Sequence, residues 1–185
     1  MELQDDSIMK IRQAEPSDVE MLSKLAMETY AAAFGHSFSP ADLAAHLEKS
    51  LSPNNFKQIS VEDTVLVAEV EDCMIGYVQF GKCDFEEATS DSDQELRRLY
   101  VLAEFQNKGV GALLMSGALN HQNLKNARQI FLDVWEHNSG AQRFYVRYGF
   151  EVIGKREFVV ESGAKTSFDL IMVRDQSKQE ERHEQ

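Results

Sequence analysis

Between Leu96 and Leu114 the chain reads Leu-Arg-Arg-Leu-Tyr-Val-Leu-Ala-Glu-Phe-Gln-Asn-Lys-Gly-Val-Gly-Ala-Leu-Leu, a stretch that admits few conformations. Leu96, Leu99, Tyr100, Val101 and Leu102 favour an extended backbone. From Lys108 onward Val110, Leu113, Leu114, Gly117 and Ala118 recur at helical spacing. Gln106 to Gly111 must therefore turn a strand directly into a helix, and Gly109 and Gly111 leave that turn without a Cβ to hold a ligand off the backbone. A helix start presents unpaired N–H groups and the positive end of its dipole, so the junction predicts an anion site with phosphate as its natural occupant.

Two familiar phosphate motifs fail here. A dinucleotide fingerprint needs a third glycine where Leu114 stands, and a P-loop needs Gly-Lys-Ser/Thr after a longer gap. What remains is Gln106-Asn107-Lys108-Gly109-Val110-Gly111-Ala112 between a strand and a helix, followed by Trp135-Glu136-x-Asn138 and Phe144-Tyr145-x-x-x-Gly149-Phe150. Together these resemble the pyrophosphate signature and downstream motifs of the GNAT superfamily of N-acetyltransferases. The resemblance spans Ile8 to Val173 and implies an α/β, single-domain fold: a central mixed, mostly antiparallel β-sheet with splayed central strands flanked by α-helices.

The composition fits that reading. At 185 residues and 43% hydrophobic content the chain suits one domain with a sizeable core. Its formal charge of −12 argues against nucleic acid or an anionic membrane as partner and favours cationic ones. Cys73 and Cys83 lack metal-ligand spacing and suit a reducing compartment as inert small apolar residues. No apolar run is long enough to cross a bilayer, and the acidic start Met1 to Asp6 lacks the basic and apolar regions of a signal peptide, so a cytoplasmic protein without a metal is expected.

The pattern predicts a first strand over Ile8 to Gln13, then a helix entered at Pro16 that carries Val19, Leu22, Leu25, Ala26 and Tyr30 on one face. Gly35 ends it, Ser39 caps a second helix through Leu43 and Leu47, and Asn54 to Ser60 is weakly patterned. Thr64 to Val70 and Met74 to Phe80 form a hairpin about Glu71-Asp72-Cys73, with Gly76 allowing a close approach or a bulge. Asp84 to Asp93 reads as a polar loop with little to bury. A helix over Lys108 to Leu124, a strand over Gln129 to Trp135, a helix over Ser139 to Tyr148, and strands over Phe150 to Val160 and Lys165 to Val173 turning at Ser162-Gly163 complete the order. Residues 1–7 and 174–185 are expected to be flexible tails.

The resemblance implies acetyl-CoA as donor and a primary amine as acceptor. Leu99, Tyr100 and Val101 match backbone positions that pair with the pantetheine arm. Gln106, Asn107, Lys108, Gly109, Val110, Gly111 and Ala112 match the pyrophosphate turn. Asn138 matches a position that hydrogen-bonds the arm, and it also reads as the N-cap of the following helix.

An alkyl ammonium with a pKa of about 10.4 is free base only to the order of one part in a thousand at pH 7, so the chemistry needs a proton acceptor. Glu95, at a position where some family members carry a glutamate acting through water, is the candidate base; its other reading is a surface ion pair with Arg97 or Arg98. Tyr145 matches the tyrosine whose hydroxyl approaches the CoA sulfur, and is the candidate general acid; its other reading is the packed stripe shared with Tyr148. Neither cysteine matches a covalent carrier, so direct attack of the amine on the thioester is expected.

For the acceptor, Glu95-Leu96-x-Arg98-Leu99-Tyr100-Val101-Leu102, Trp135-Glu136-x-Asn138 and Asp169-Leu170-Ile171-Met172 resemble the bacterial spermine/spermidine branch. The candidate contacts are Phe34, His36, Glu86, Glu87 and Trp135. A protein N-terminal or Lys acetyltransferase, and a non-catalytic CoA-binding regulatory domain, stay open beside it, as does a homodimer.

Overall fold

A computed structural model describes residues 8–159 and 165–178. The predicted turn at Ser162-Gly163 and the ends 1–7 and 179–185 lie outside the described residues. Seven strands follow the hydrogen-bonded order β1-β2-β3-β4-β5-β7-β6. They are β1 (Lys10–Gln13), β2 (Thr64–Val70), β3 (Cys73–Lys82), β4 (Gln94–Val101), β5 (Gln129–Trp135), β6 (Glu151–Val159) and β7 (Lys165–Asp175). The helices are α1 (Val19–Phe34), α2 (Pro40–Leu51), α3 (Pro53–Glu62), α4 (Val110–Asn120), α5 (Gln122–Lys125) and α6 (Ser139–Arg147). The residues group into two compact units, Met1–Phe80 with Arg98–Asn120, and Gly81–Arg97 with His121–Gln185, and the chain passes between them inside β3, β4 and the α4–α5 junction.

In the first unit β1, β2 and β3 run antiparallel, with Ile11 opposite Ala68 and Val67 opposite Tyr77. The predicted face of α1 is the buried one: Val19, Leu22, Leu25, Ala26 and Tyr30 join Leu51, Phe56, Val65 and Val67 in one core. Ser39 Oγ accepts from the Asp42 N–H and caps α2 as predicted. The stretch after Pro53, read from the sequence as only weakly patterned, is a helix, α3. Pro53 at its first position preorganises φ, and Phe56 and Ile59, three apart, bury one face among polar neighbours. Arg12 ties β1 to the entry of α1 and to β2, bonding Asp18 at 2.6 Å and Glu69 at 2.5 Å.

The β2–β3 hairpin turns through Glu71 (φ 49°) and Asp72 (φ 62°), two left-handed residues without a glycine, and the register shifts between Ala68 and Glu69. Gly76 is required for close approach: a Cβ there would lie 2.8 Å from the Tyr100 carbonyl oxygen. On α4, Val110, Leu114, Met115 and Ala118 are buried, and Gly117 brings the helix against Ile11 and Leu66. The predicted single helix from Lys108 to Leu124 is two pieces. It starts at Val110, and His121 leaves α-geometry to cap α5, its Nδ1 accepting from the Asn123 N–H.

In the second unit β5 pairs antiparallel with β7 along its length, from Gln129–Asp175 to Trp135–Asp169, and β6 pairs on β7's other side. β7 thus runs past the predicted Val173. Its continuation is tied down by Gln176 Nε2 donating to Leu124 O at 2.8 Å. β4 meets β5 in parallel at Gln94–Ile130 and Glu95–Phe131.

The loop Asp84 to Asp93 is not simply solvated. Phe85 stacks on Phe131, ring centroids 5.9 Å apart, and joins Ile171 in a small core. Asp93, its side chain 0% exposed, accepts from Arg128 and from the Thr89 and Ser90 N–H groups. Among the described residues no helix is long and apolar enough to cross a membrane.

Candidate active site

In the first unit the predicted junction is a strand-to-helix turn. A single 3₁₀ turn, Ala103–Phe105, buries Phe105 and redirects the chain. Asn107 (φ 59°) and Gly109 (φ 86°) then adopt left-handed conformations on either side of Lys108. The first bond of α4 runs from the Leu113 N–H to the Gly109 carbonyl at 2.9 Å, so the N–H groups of Val110, Gly111 and Ala112 have no acceptor inside the helix. Apart from its chain neighbours, no atom of the described residues lies within 4 Å of where a Gly109 Cβ would be. Gln106, Asn107, Lys108, Gly109 and Ala112 are exposed and Val110 is buried as the anchor. Backbone donors, an open side and the Lys108 charge fit a pyrophosphate.

Leu99, Tyr100 and Val101 close β4 as half-buried residues. Gln106 Nε2 donates to Val101 O at 3.1 Å, so that carbonyl is already engaged, and Leu102 N–H donates to Ile75 O at 3.0 Å. Tyr100 lies 6.5 Å from Tyr30 and 5.9 Å from Tyr77 between ring centroids. Phe34 and Phe38 also gather on Tyr30, at 4.8 and 6.3 Å, and His46 stacks on it at 4.5 Å; His36 is exposed. No motif marks His46 in the sequence, although its place on α2 one turn after Leu43 puts it on the inward side.

In the second unit Glu95 is buried, not a surface carboxylate. Its Oε2 accepts from Arg97 Nη1 at 2.8 Å and from the Asp84 N–H at 3.3 Å. Burial raises its pKa, and the Arg97 charge and the Asp84 N–H pull it back down. Arg97 also donates to Lys82 O and Asp84 Oδ2 at 2.7 and 2.9 Å. The partner of Glu95 is therefore Arg97, while Arg98 belongs to the first unit, where it donates to Gln79 at 2.6 Å.

Tyr145 is 8% exposed, packed edge-on to Phe150 at 5.8 Å and to Phe144 at 5.5 Å. Burial, then the Asp133 charge, push its phenol well above the ordinary value. The spacing to Gly149-Phe150 has a local cause: Gly149 (φ 83°) ends α6 left-handed, and the Phe150 N–H then folds back to Tyr145 O at 3.2 Å. Asn138 caps α6, its Oδ1 accepting from Ala141 N–H at 3.0 Å, which leaves its Nδ2 amide as a donor. Glu86 and Glu87 are exposed.

Trp135 opens onto a grouping that the sequence did not reveal. Laterally paired residues share a sheet face, so Glu95, Phe131, Asp133, Trp135, Asp169 and Arg156 lie on one face across four strands. Arg156 bonds the Asp133 carboxylate and covers the Phe85 ring at 4.8 Å. Burial and the Asp133 charge push Asp169 up to about 6, with Arg156 opposing and Glu136 adding to the rise.

Residues 62–152 match the acetyltransferase (GNAT) domain family. An uncharacterized N-acetyltransferase of Archaeoglobus fulgidus is 30% identical over 139 residues, which is 74% of this chain and 89% of the relative. The spermine/spermidine N(1)-acetyltransferase of Bacillus subtilis is 27% identical over 87 residues, 46% of this chain and 57% of the relative. Among solved structures, the PaiA N-acetyltransferase from Thermoplasma acidophilum in complex with coenzyme A superposes with a TM-score of 0.72 at 21% identity, covering 91% of this chain and 99% of that one. The chain belongs to the GNAT family and is an N-acetyltransferase.

Proposed function

We propose that acetyl passes directly from acetyl-CoA to a primary amine and that the acceptor is a polyamine such as spermidine or spermine. The observation that carries the donor side is the turn at Asn107 to Gly109, where two left-handed residues and the first turn of α4 offer backbone N–H groups on an open side. Those donors and Lys108 hold the pyrophosphate. The Asn138 Nδ2 and the strand backbone at Leu99 and Tyr100 orient the arm.

Glu95 takes the ammonium proton, directly or through a water molecule, because burial raises its basicity against the opposing pull of the Arg97 charge. The amine then attacks the thioester carbonyl, the C–S bond breaks, Tyr145 supplies the proton that the departing sulfur needs, and the proton lost from the new amide nitrogen restores the phenol. Keeping the phenol neutral is what its burial does. The polyamine reading is supported by the charge of −12 and by the partial likeness to the Bacillus subtilis enzyme. A reducing, cytoplasmic setting and a homodimer complete it.

The test is a panel of amines, from butylamine to spermine, with N-terminal and lysine peptides beside them, assayed with acetyl-CoA for free-thiol release. Spermidine or spermine is expected to give the highest kcat/KM. A peptide in that place would move the acceptor to proteins.

A further inference from the structure

In the first unit a chain of polar side chains runs beside the core that holds Tyr30, Phe56 and Tyr77. Gln79, 2% exposed on β3, donates from Nε2 to Asp63 Oδ2 at 2.6 Å and accepts at Oε1 from Arg98 Nη1, also at 2.6 Å. Asp63 closes α3 and Arg98 lies in β4, so one amide joins a helix end to two strands. That amide has a single workable orientation. Turned over, it would set its oxygen against the carboxylate and its NH2 against the guanidinium. Apolar side chains often fill such space at less cost, so what the chain adds is a fixed geometry.

The geometry is imposed next to Tyr100. Tyr77 and Gln79 lie two apart on β3, and Arg98 and Tyr100 two apart on β4, so each pair shares a face. Gln79 meets Arg98, and the Tyr77 and Tyr100 rings lie 5.9 Å apart. Gly76 gives the strands little grip there: it has no side chain, and its backbone sits so close to the Tyr100 carbonyl oxygen that a Cβ would come within 2.8 Å. Nor does Tyr77 add a polar contact, since its hydroxyl is buried without a hydrogen-bond partner among the described residues. A slip of one residue would turn Arg98 and Tyr100 to the opposite face, and it would break the bond from Arg98 to Gln79.

We propose that Gln79, oriented by Asp63, is a positioning residue: through Arg98 it fixes the β4 backbone at Leu99 and Tyr100 in the register that receives the pantetheine arm of the donor. The inference deepens the proposed function and rests on its placing of the arm along β4. Gln79 acts through Arg98 and not on the reacting atoms.

The test exchanges the chemistry within the chain. Gln79→Leu removes both bonds. Gln79→Glu is isosteric and keeps the bond to Arg98, but sets a carboxylate oxygen against Asp63. Adding Asp63→Asn to it returns a donor to that gap and the net charge of the three residues to its original value. CoA and its nucleotide half, a phosphoadenosine diphosphate without the arm, are titrated by calorimetry into each full-length protein, and thermal unfolding is followed separately. Gln79→Leu and Gln79→Glu are each expected to weaken CoA by about tenfold or more while the armless nucleotide binds as to the wild type, and the double variant is expected to recover most of the loss. Tyr77→Phe removes a hydroxyl that bonds nothing and is expected to leave both affinities as they are. CoA affinity that Gln79→Leu leaves unchanged, a loss shared equally by the armless nucleotide, or a double variant no better than Gln79→Glu overturns the inference. The same loss in Tyr77→Phe overturns it too, by showing that any change on this face has the effect. A wild type that binds CoA no more tightly than the armless nucleotide removes the placing of the arm along β4, and the inference with it.

Discussion

The Glu95 carboxylate accepts a 2.8 Å hydrogen bond from Arg97, two residues further along the same strand and on the same face. The pair sets opposing pulls on one proton: burial favours the neutral acid, and the guanidinium favours the carboxylate. A base must be ionised, so activity should rise with pH through the pKa of Glu95. Arg97→Met removes the downward pull, and the acid limb of the kcat/KM profile is expected to move to higher pH. Glu95→Gln should lower kcat by about 100-fold or more and erase that limb. Full turnover in Glu95→Gln would make the pair a structural brace for the start of the Asp84 loop.

Gly109 combines a left-handed φ of 86° with open space where a Cβ would stand. Gly109→Val is therefore crowded by nothing in the protein itself, but the β-branched side chain strains the backbone by about 1–3 kcal/mol and fills the side on which a phosphate would lie. CoA affinity, read by calorimetry, should fall at least tenfold while the fold persists by circular dichroism. Unchanged affinity would move the pyrophosphate away from this turn.

Tyr145→Phe keeps the ring against Phe144 and Phe150 and removes the hydroxyl. If the phenol protonates the departing sulfur, kcat should drop by about 100-fold or more while the KM for acetyl-CoA changes little. An equal loss at all pH values is expected, because burial keeps the wild-type phenol protonated across the working range.

The strand-to-helix turn was legible because its geometry is local. Gly109 and Gly111 stand where a strand pattern becomes a helix pattern, and the structure puts one of them at positive φ. The face of α1 was legible for a similar reason, since Val19, Leu22, Leu25, Ala26 and Tyr30 keep one period over three turns. α3 was not, because it buries few residues of a polar segment and its start rests on one proline. Glu71-Asp72 turns left-handed without the glycine that usually announces such a hairpin.

The Asp133, Trp135, Asp169 and Arg156 grouping was illegible for a deeper reason. It exists because β7 inserts between β5 and β6, which pairs Trp135 with Asp169 across 34 positions of sequence. The Asp84 to Asp93 loop misled in the opposite sense: its composition is that of solvent, yet Phe85 and Asp93 turn inward onto Phe131 and Arg128.

That inward turn predicts stability. Asp93 is held below the usual carboxylate range by Arg128 and by the Thr89 and Ser90 N–H groups, against the cost of burial. Asp93→Ala leaves those donors unpaired and should destabilise the protein by about 2–3 kcal/mol in urea unfolding at pH 7. A group with a lowered folded pKa stabilises above its unfolded value of about 4, and that contribution disappears as pH falls through the folded value. The deficit of Asp93→Ala should therefore shrink in acid.

Asp169 has the opposite sign. Its folded pKa of about 6 lies above the unfolded one of about 3.9, because it is half-buried near Asp133 and Glu136 with Arg156 as the opposing charge. The folded state therefore binds the proton more tightly, and this contribution to stability is full below about pH 4 and lost as pH rises through 6. Asp169→Asn fixes the uncharged form. Its melting temperature should match the wild type near pH 4, rise above it between pH 4 and 6, and stay higher from there on. A gap that does not change with pH would show that the asparagine acts through packing.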